Sequence, residues 1–413
     1  MKRSIICTVL LLYATYSLSQ TGTLSNIQVS QRTDGTGYVD IYFNLNGSAA
    51  AYNMILETSF DGGSTYTPIP PAFISGNITA ILPGNNKHIV WDGLGSFPGT
   101  FSTQAKLKLI AADWQPCPDI PTFTDTRDGQ VYFTVQIGGQ CWIKENMKYL
   151  PVVTGPGNGS FTDPSYYVYG YNDINVSEAK DTDNFQNYGA LYNWWAALTA
   201  CPPGWQLPDD TDWTQLTEFA AAEGFPDINV ANGAGNALKS CRQVNSPLGS
   251  NCNTSEHPRW DSNSTHHGFD EFGFSALPGG YTFASAEFYS MGLTGSWWSS
   301  SISPDDIAII RNMGYDKGEV EQNSLFKFFG LSVRCIRVYQ LNLGVSPPGA
   351  GTVYGQGEYT PGKQVEITAE AHFPFMFLAW MDENNNVLST AASFVYTMPA
   401  QNVTLGAFFW RWF

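Results

Sequence analysis

Four phrases from one stretch of the chain decide how it is read: Cys201-Pro-Pro-Gly-Trp-Gln-Leu-Pro208, Gly273-Phe-Ser-Ala-Leu-Pro-Gly-Gly-Tyr281, Trp297-Trp-Ser-Ser-Ser301 and Gly330-Leu-Ser-Val-Arg-Cys-Ile-Arg337. Each sets aromatic residues among Gly, Pro and Ser, the residues that fix turns. That composition predicts an irregular, loop-rich α+β domain and carries no spacing typical of a catalytic motif. Upstream, Asp128-Gly-Gln-Val-Tyr132 leads into Ile137-Gly-Gly-Gln-Cys-Trp142, which reads as a strand, a glycine turn and a second strand. Two helices are expected, over residues 190–200, rich in Ala, Leu and Trp, and over residues 210–223. The acidic cluster at Asp209 and Asp210 suits the N-terminus of the second.

The flanks differ in texture. Residues 20–114 alternate apolar and polar positions, as in Val39-Asp-Ile-Tyr-Phe-Asn-Leu45, with a hairpin turn at Asp61-Gly-Gly-Ser64. This predicts a β-sandwich of immunoglobulin or fibronectin type III character, with Trp91 as a core plug. The run Trp114-Gln-Pro-Cys-Pro-Asp-Ile-Pro121 continues neither strand nor helix and marks the first boundary. Residues 339–413 read as a small β module ending in a very aromatic strand.

In its ordered phrases, the region from Cys117 to Val338 resembles the Fibrobacter succinogenes major paralogous domain. Glu145-Asn-Met147, Tyr188-Gly-Ala-Leu-Tyr-Asn-Trp194 and Trp213 add to the match. The resemblance implies an exported or surface protein of bacteria, built beside β-sandwich and repeat modules. It implies no defined activity, since a fold does not carry function with it. The late phrases are also similar to those of the C-type lectin fold, and residues 340–413 resemble one copy of an internalin-type bacterial repeat. The expected organisation is therefore multidomain: signal peptide 1–19, β-sandwich 20–114, major paralogous domain 115–338 and repeat module 339–413.

Composition agrees with an exported globular chain. Of 413 residues, 43% are hydrophobic and only 14% charged, which suits packed cores. A net charge of -16 works against nucleic acid or an anionic membrane as a partner of the whole molecule. Lys2 and Arg3, an apolar run too short to span a bilayer and the small residues before Gln20 form a signal-peptide pattern, and no later run is apolar enough to cross. Without Cys7, six cysteines remain, in no zinc-ligand order. The short turn-forming loop between Cys241 and Cys252 favours that disulfide. Cys201 with Cys335 and Cys117 with Cys141 complete the preferred set among the fifteen connectivities possible.

Chemistry was sought in convergent groups. The serines 299–301 lack a nucleophile elbow, and no glycine-rich phosphate loop opens a helix. The adjacent carboxylates Asp209/Asp210, Asp270/Glu271 and Asp305/Asp306 read as solvated loops, since neighbours in sequence usually point apart. The loop over residues 253–271 is the candidate ligand site. Trp260 offers a sugar-stacking face, while Asp261, Asn263, Asp270 and Glu271 offer oxygens for glycan hydroxyls or Ca²⁺, without EF-hand spacing. No other cofactor is implied. The expected function is non-enzymatic: a secreted or cell-surface protein that binds extracellular glycans or another surface partner through its central domain, the flanking modules acting as spacers. The alternatives are a secreted enzyme acting on polysaccharide or peptidoglycan, and a structural component of a surface layer or matrix.

Overall fold

The computed structural model describes residues 21–412 except 48, 50, 156, 250, 251, 285, 286 and 304–306. The signal-peptide pattern, the Asp305/Asp306 pair and Phe413 lie outside the described residues. The architecture is multidomain and mostly β.

In the N-terminal region, alternating residues place Val39, Ile41, Phe43 and Leu45 of strand Tyr38–Asn46 on the buried side. They share one core with Ile89 and Trp91, and with Met54, Leu56, Leu107 and Ala111 from strands Asn53–Ser59 and Lys106–Ala112. Strand Thr21–Gln31 joins the two groups of strands, pairing with Lys106–Ala112 at its start and with Tyr38–Asn46 along its length. Trp91 is buried, as a core plug should be, and its indole donates to Ser96 Oγ at 2.8 Å.

The boundary run is not a free linker. Trp114 is buried in a core of the next region, which also takes in Ile55 and Ala112. Its indole donates to the Thr134 carbonyl at 3.0 Å, and Asn53 donates to the Trp114 carbonyl at 2.9 Å. The buried Glu57 carboxylate accepts from Lys108 at 2.7 Å and from Thr122.

The central region carries a five-stranded sheet in the order Trp205–Gln206, Ile336–Arg337, Gln140–Ile143, Val131–Ile137, Thr122–Thr124. A three-stranded meander, Thr294–Ser303, Ile307–Gly314 and Glu321–Phe326, packs beside helix Asp210–Ala222. That helix starts where its acidic cluster predicts, with a capping box between Asp209 and Asp212. The expected helix over residues 190–200 does not form. Leu191–Tyr192 is a strand paired with Tyr166–Tyr167, and Trp194–Ala197 is one helical turn capped by the Asn193 side chain. Disulfides join Cys117 to Cys141, Cys201 to Cys335 and Cys241 to Cys252, the set preferred from the sequence.

Several of the quoted phrases, those holding Asn146, Tyr188, Phe274, Trp297 and Arg334, converge on one buried polar spine. Arg334 donates to Asn146 Oδ1 at 3.0 Å, to the Phe274 carbonyl at 2.7 Å and to the Ser275 carbonyl at 3.1 Å. Asn146 also accepts from the Trp297 indole at 2.9 Å and donates to the Tyr188 carbonyl at 3.0 Å. A loop-rich core must satisfy its backbone with side chains because no ladder does so, and these residues serve that need.

The C-terminal region stacks a five-stranded and a three-stranded sheet over a core containing Leu341, Ile367, Trp380 and Ala407. It is docked on the central region, not simply tethered to it. Thr360 donates to Asp212 Oδ1 at 2.6 Å, Lys363 pairs with Asp209, and a side chain at Gly362 would meet Gln215.

Candidate functional site

The loop over residues 253–271 does not assemble into a ligand site. Trp260 is 1% exposed, inside a core with Trp213, Trp297 and Phe274. This corrects its reading as a stacking face. The bridge from Gln243 to Trp260 draws the residue inward, and its indole donates to the Ala276 carbonyl at 3.2 Å. Asp261 is paired with Arg259. Asn263 Oδ1 accepts the N–H groups of Thr265 at 2.9 Å and His266 at 2.8 Å. Both Asp270 oxygens accept from Ser275, through its N–H at 2.7 Å and its hydroxyl at 2.5 Å. Glu271 is exposed at the surface beyond this turn.

A buried amine already sits against this loop. The buried Lys239 ammonium donates to the carbonyls of His266 at 2.8 Å, Gly314 at 2.9 Å and Lys317 at 2.9 Å, over the face of Trp260. Burial lowers its pKa to about 7. Among the described residues no group of three or more His, Cys, Asp or Glu side chains could hold a metal ion.

The candidate carboxylates are likewise engaged in structure. Asp210 accepts from Arg311 and Gln322, while Asp209 and Asp212 cap the helix and meet the C-terminal region. Buried Lys144 donates to Ser275 Oγ at 2.6 Å and to the Gly273 carbonyl, and lies 4.4 Å from the Trp114 ring. Nearby Asp113 has its pKa raised to about 6, chiefly by burial.

The structure instead gathers seven aromatic rings into one partly exposed face. Phe161 meets Phe328 at 4.9 Å, Phe328 stacks on Phe326 at 5.4 Å and on Phe329 at 5.0 Å, and Phe329 meets Phe283 at 4.6 Å. Tyr289 closes the row, 5.3 Å from Phe283 and 5.7 Å from Tyr281. Phe161 is 63% and Phe326 52% exposed, where large apolar side chains ordinarily withdraw from water. Polar groups rim the rings: Ser160 donates to Asp163 at 2.9 Å and Tyr289 to Glu287 at 3.1 Å.

Local structure fixes the rings in place. Tyr281 and Tyr289 face each other across the hairpin Gly279–Thr282/Phe288–Met291. Thr282 and Gly330 exchange backbone hydrogen bonds at 3.0 and 2.8 Å, which brings Phe283 beside Phe329. A Cβ at Gly330 would come within 2.4 Å of Thr282 Cγ2, so this approach requires glycine.

Residues 135–337 match the Fibrobacter succinogenes major domain, and residues 341–412 match the divergent InlB B-repeat domain. No curated protein and no solved structure matches the chain. In the central region the phrases around Asn146, Tyr188, Phe274, Trp297 and Arg334 supply the polar spine and much of the aromatic core. The ring face draws most of its members from between and beside them. Its sequence signal is a local density of aromatics, Tyr281-Thr-Phe283, Phe288-Tyr289 and Phe326-Lys-Phe-Phe329, outside the 253–271 loop.

Proposed function

We propose that this is an exported, non-enzymatic surface protein whose major domain binds extracellular glycan chains on its seven-ring face. The observation that carries the reading is that face: partly exposed rings, held against one another by stacked and edge-to-face contacts, that offer apolar surface to pyranoses, rimmed by hydroxyl and carboxylate groups for their hydroxyls. The net charge of -16 favours an uncharged polymer over an acidic one. Export is supported by the basic and apolar start of the chain and by three disulfides, which persist in oxidising surroundings. Likeness to the C-type lectin fold belongs to the same proposal and rests on the terminal strand Ile336–Arg337 beside Cys335.

Pelleting with insoluble neutral polysaccharides tests the reading. The double variant Phe161→Ala/Phe326→Ala should lose retention by about tenfold or more, the loss expected when two aromatic anchors buried by the bound polymer contribute about 1 kcal/mol each. Its melting temperature should hold. Equal retention of variant and parent, or no retention on any neutral polymer, refutes it.

A further inference from the structure

From the C-terminal repeat we infer that its far end is a lipid-surface docking element, which seats aromatic side chains at the headgroup boundary of a bilayer. Strand Tyr339–Ser346 leaves the major domain at Tyr339, and Val403–Arg411 runs parallel to it. Their C-terminal ends therefore lie together, roughly 25 Å from the junction at about 3.3 Å per residue. Thr360 and Lys363 grip the major domain near the opposite end, where Tyr359 pairs with Tyr339.

At the far end Phe373 is 97% exposed, on the turn between strands Gln364–Ala371 and Phe375–Met381. Trp412 is 59% exposed and donates its N–H to the Pro374 carbonyl at 2.8 Å. Its ring lies 5.7 Å from exposed Trp410, which pairs in register with exposed Met376. Tryptophan and phenylalanine are the residues that settle between water and hydrocarbon.

Charge selects the occupant. The chain has 36 acidic residues, yet residues 339–357, 371–381 and 384–413 contain none, and Arg411 stands between the two tryptophans. The nearest carboxylate to Phe373 in sequence, Glu370, accepts from Tyr354 at 3.3 Å. The acidity that opposes an anionic membrane over the whole molecule is thus thin among the described residues of this end, where Arg411 faces lipid phosphates and Glu370, held by Tyr354, is the near carboxylate. The ring face of the major domain differs on both counts, because its rings are stacked within a framework and rimmed by Asp163 and Glu287.

Flotation of the full chain with phosphatidylcholine vesicles, alone and mixed with phosphatidylglycerol, tests this. The parent should float. Phe373→Ser/Trp412→Ser should lose binding by about tenfold or more. Arg411→Gln, a milder change at an exposed site, should weaken binding to the mixed vesicles by about fivefold. Phe161→Ala/Phe326→Ala should float like the parent, so that failure of glycan binding is distinguishable from failure here. A parent that stays with the soluble fraction, or variants that float as well as it does, overturns the inference. So does a parent that self-associates through this end, shown by a mass that falls to monomer in the double variant, without floating.

Discussion

Replacing Thr360 with valine tests whether the repeat and the major domain are joined by one buried carboxylate. Asp212 and Thr360 are both buried, and the Thr360 hydroxyl donates to Asp212 Oδ1 at 2.6 Å while Asp212 Oδ2 accepts the Asp209 N–H at 2.9 Å. The valine leaves a buried carboxylate oxygen without its donor, at a cost of about 1–3 kcal/mol near pH 7. Burial, and then repulsion from Asp209, raise the Asp212 pKa to about 6, while the Thr360 bond lowers it. Asp209 shifts the other way, held down by Lys363 and the Asp212 N–H.

The sign follows from proton counting. A carboxyl whose pKa rises on folding, here from 3.8 to about 6, binds more protons in the native state, so its contribution to stability falls as pH rises through that interval. Below about pH 6 Asp212 in the folded protein is mostly protonated and needs Thr360 less. Thr360→Val should therefore destabilise the chain more at pH 7.5 than at pH 5, and the difference should vanish in the Asp212→Asn background, which has no charge to lose. Urea denaturation of the four proteins at both pH values gives the comparison, with loosening of the repeat seen as a separate early transition. Equal losses at the two pH values, or effects of the two substitutions that simply add, would refute the coupling.

Trp260→Ala should lower stability by about 3–5 kcal/mol in thermal or urea unfolding, because it empties a fully buried site in the core that also holds Trp213, Trp297 and Phe274; a stable variant with selectively lost ligand binding would restore the stacking role. Removing the Cys201–Cys335 disulfide by double alanine substitution should cost more than removing Cys241–Cys252, about 5 against about 3 kcal/mol in the loop-entropy limit, since they span 134 and 11 residues. Denaturation under non-reducing conditions checks the order, and a larger loss for the short loop would contradict it.

What could be read in the sequence was whatever local chemistry settles. The acidic cluster at Asp209 and Asp210 places the start of helix Asp210–Ala222 because a capping box and a favourable dipole act within one turn. Period-two patterning finds strand Tyr38–Asn46 for the same reason. Residues 190–200 misled because helix propensity is weaker than tertiary hydrogen bonding: Tyr192 exchanges backbone bonds with Leu331, and the Trp194 N–H donates to the Lys327 carbonyl. Trp260 misled differently. Its polar neighbours face solvent, and only the bridge to Gln243, with Lys239 closing the loop over its ring, puts the indole inside. The ring face lay beyond local reading altogether. Its rings come from three separate segments, and the contact that aligns two of them depends on the Thr282–Gly330 bridge, a pairing with no periodic trace in the chain. In a domain held by side-chain to backbone bonds, recognisable phrases therefore mark what must be buried and satisfied, and exposed aromatics beside them are where recognition is to be sought.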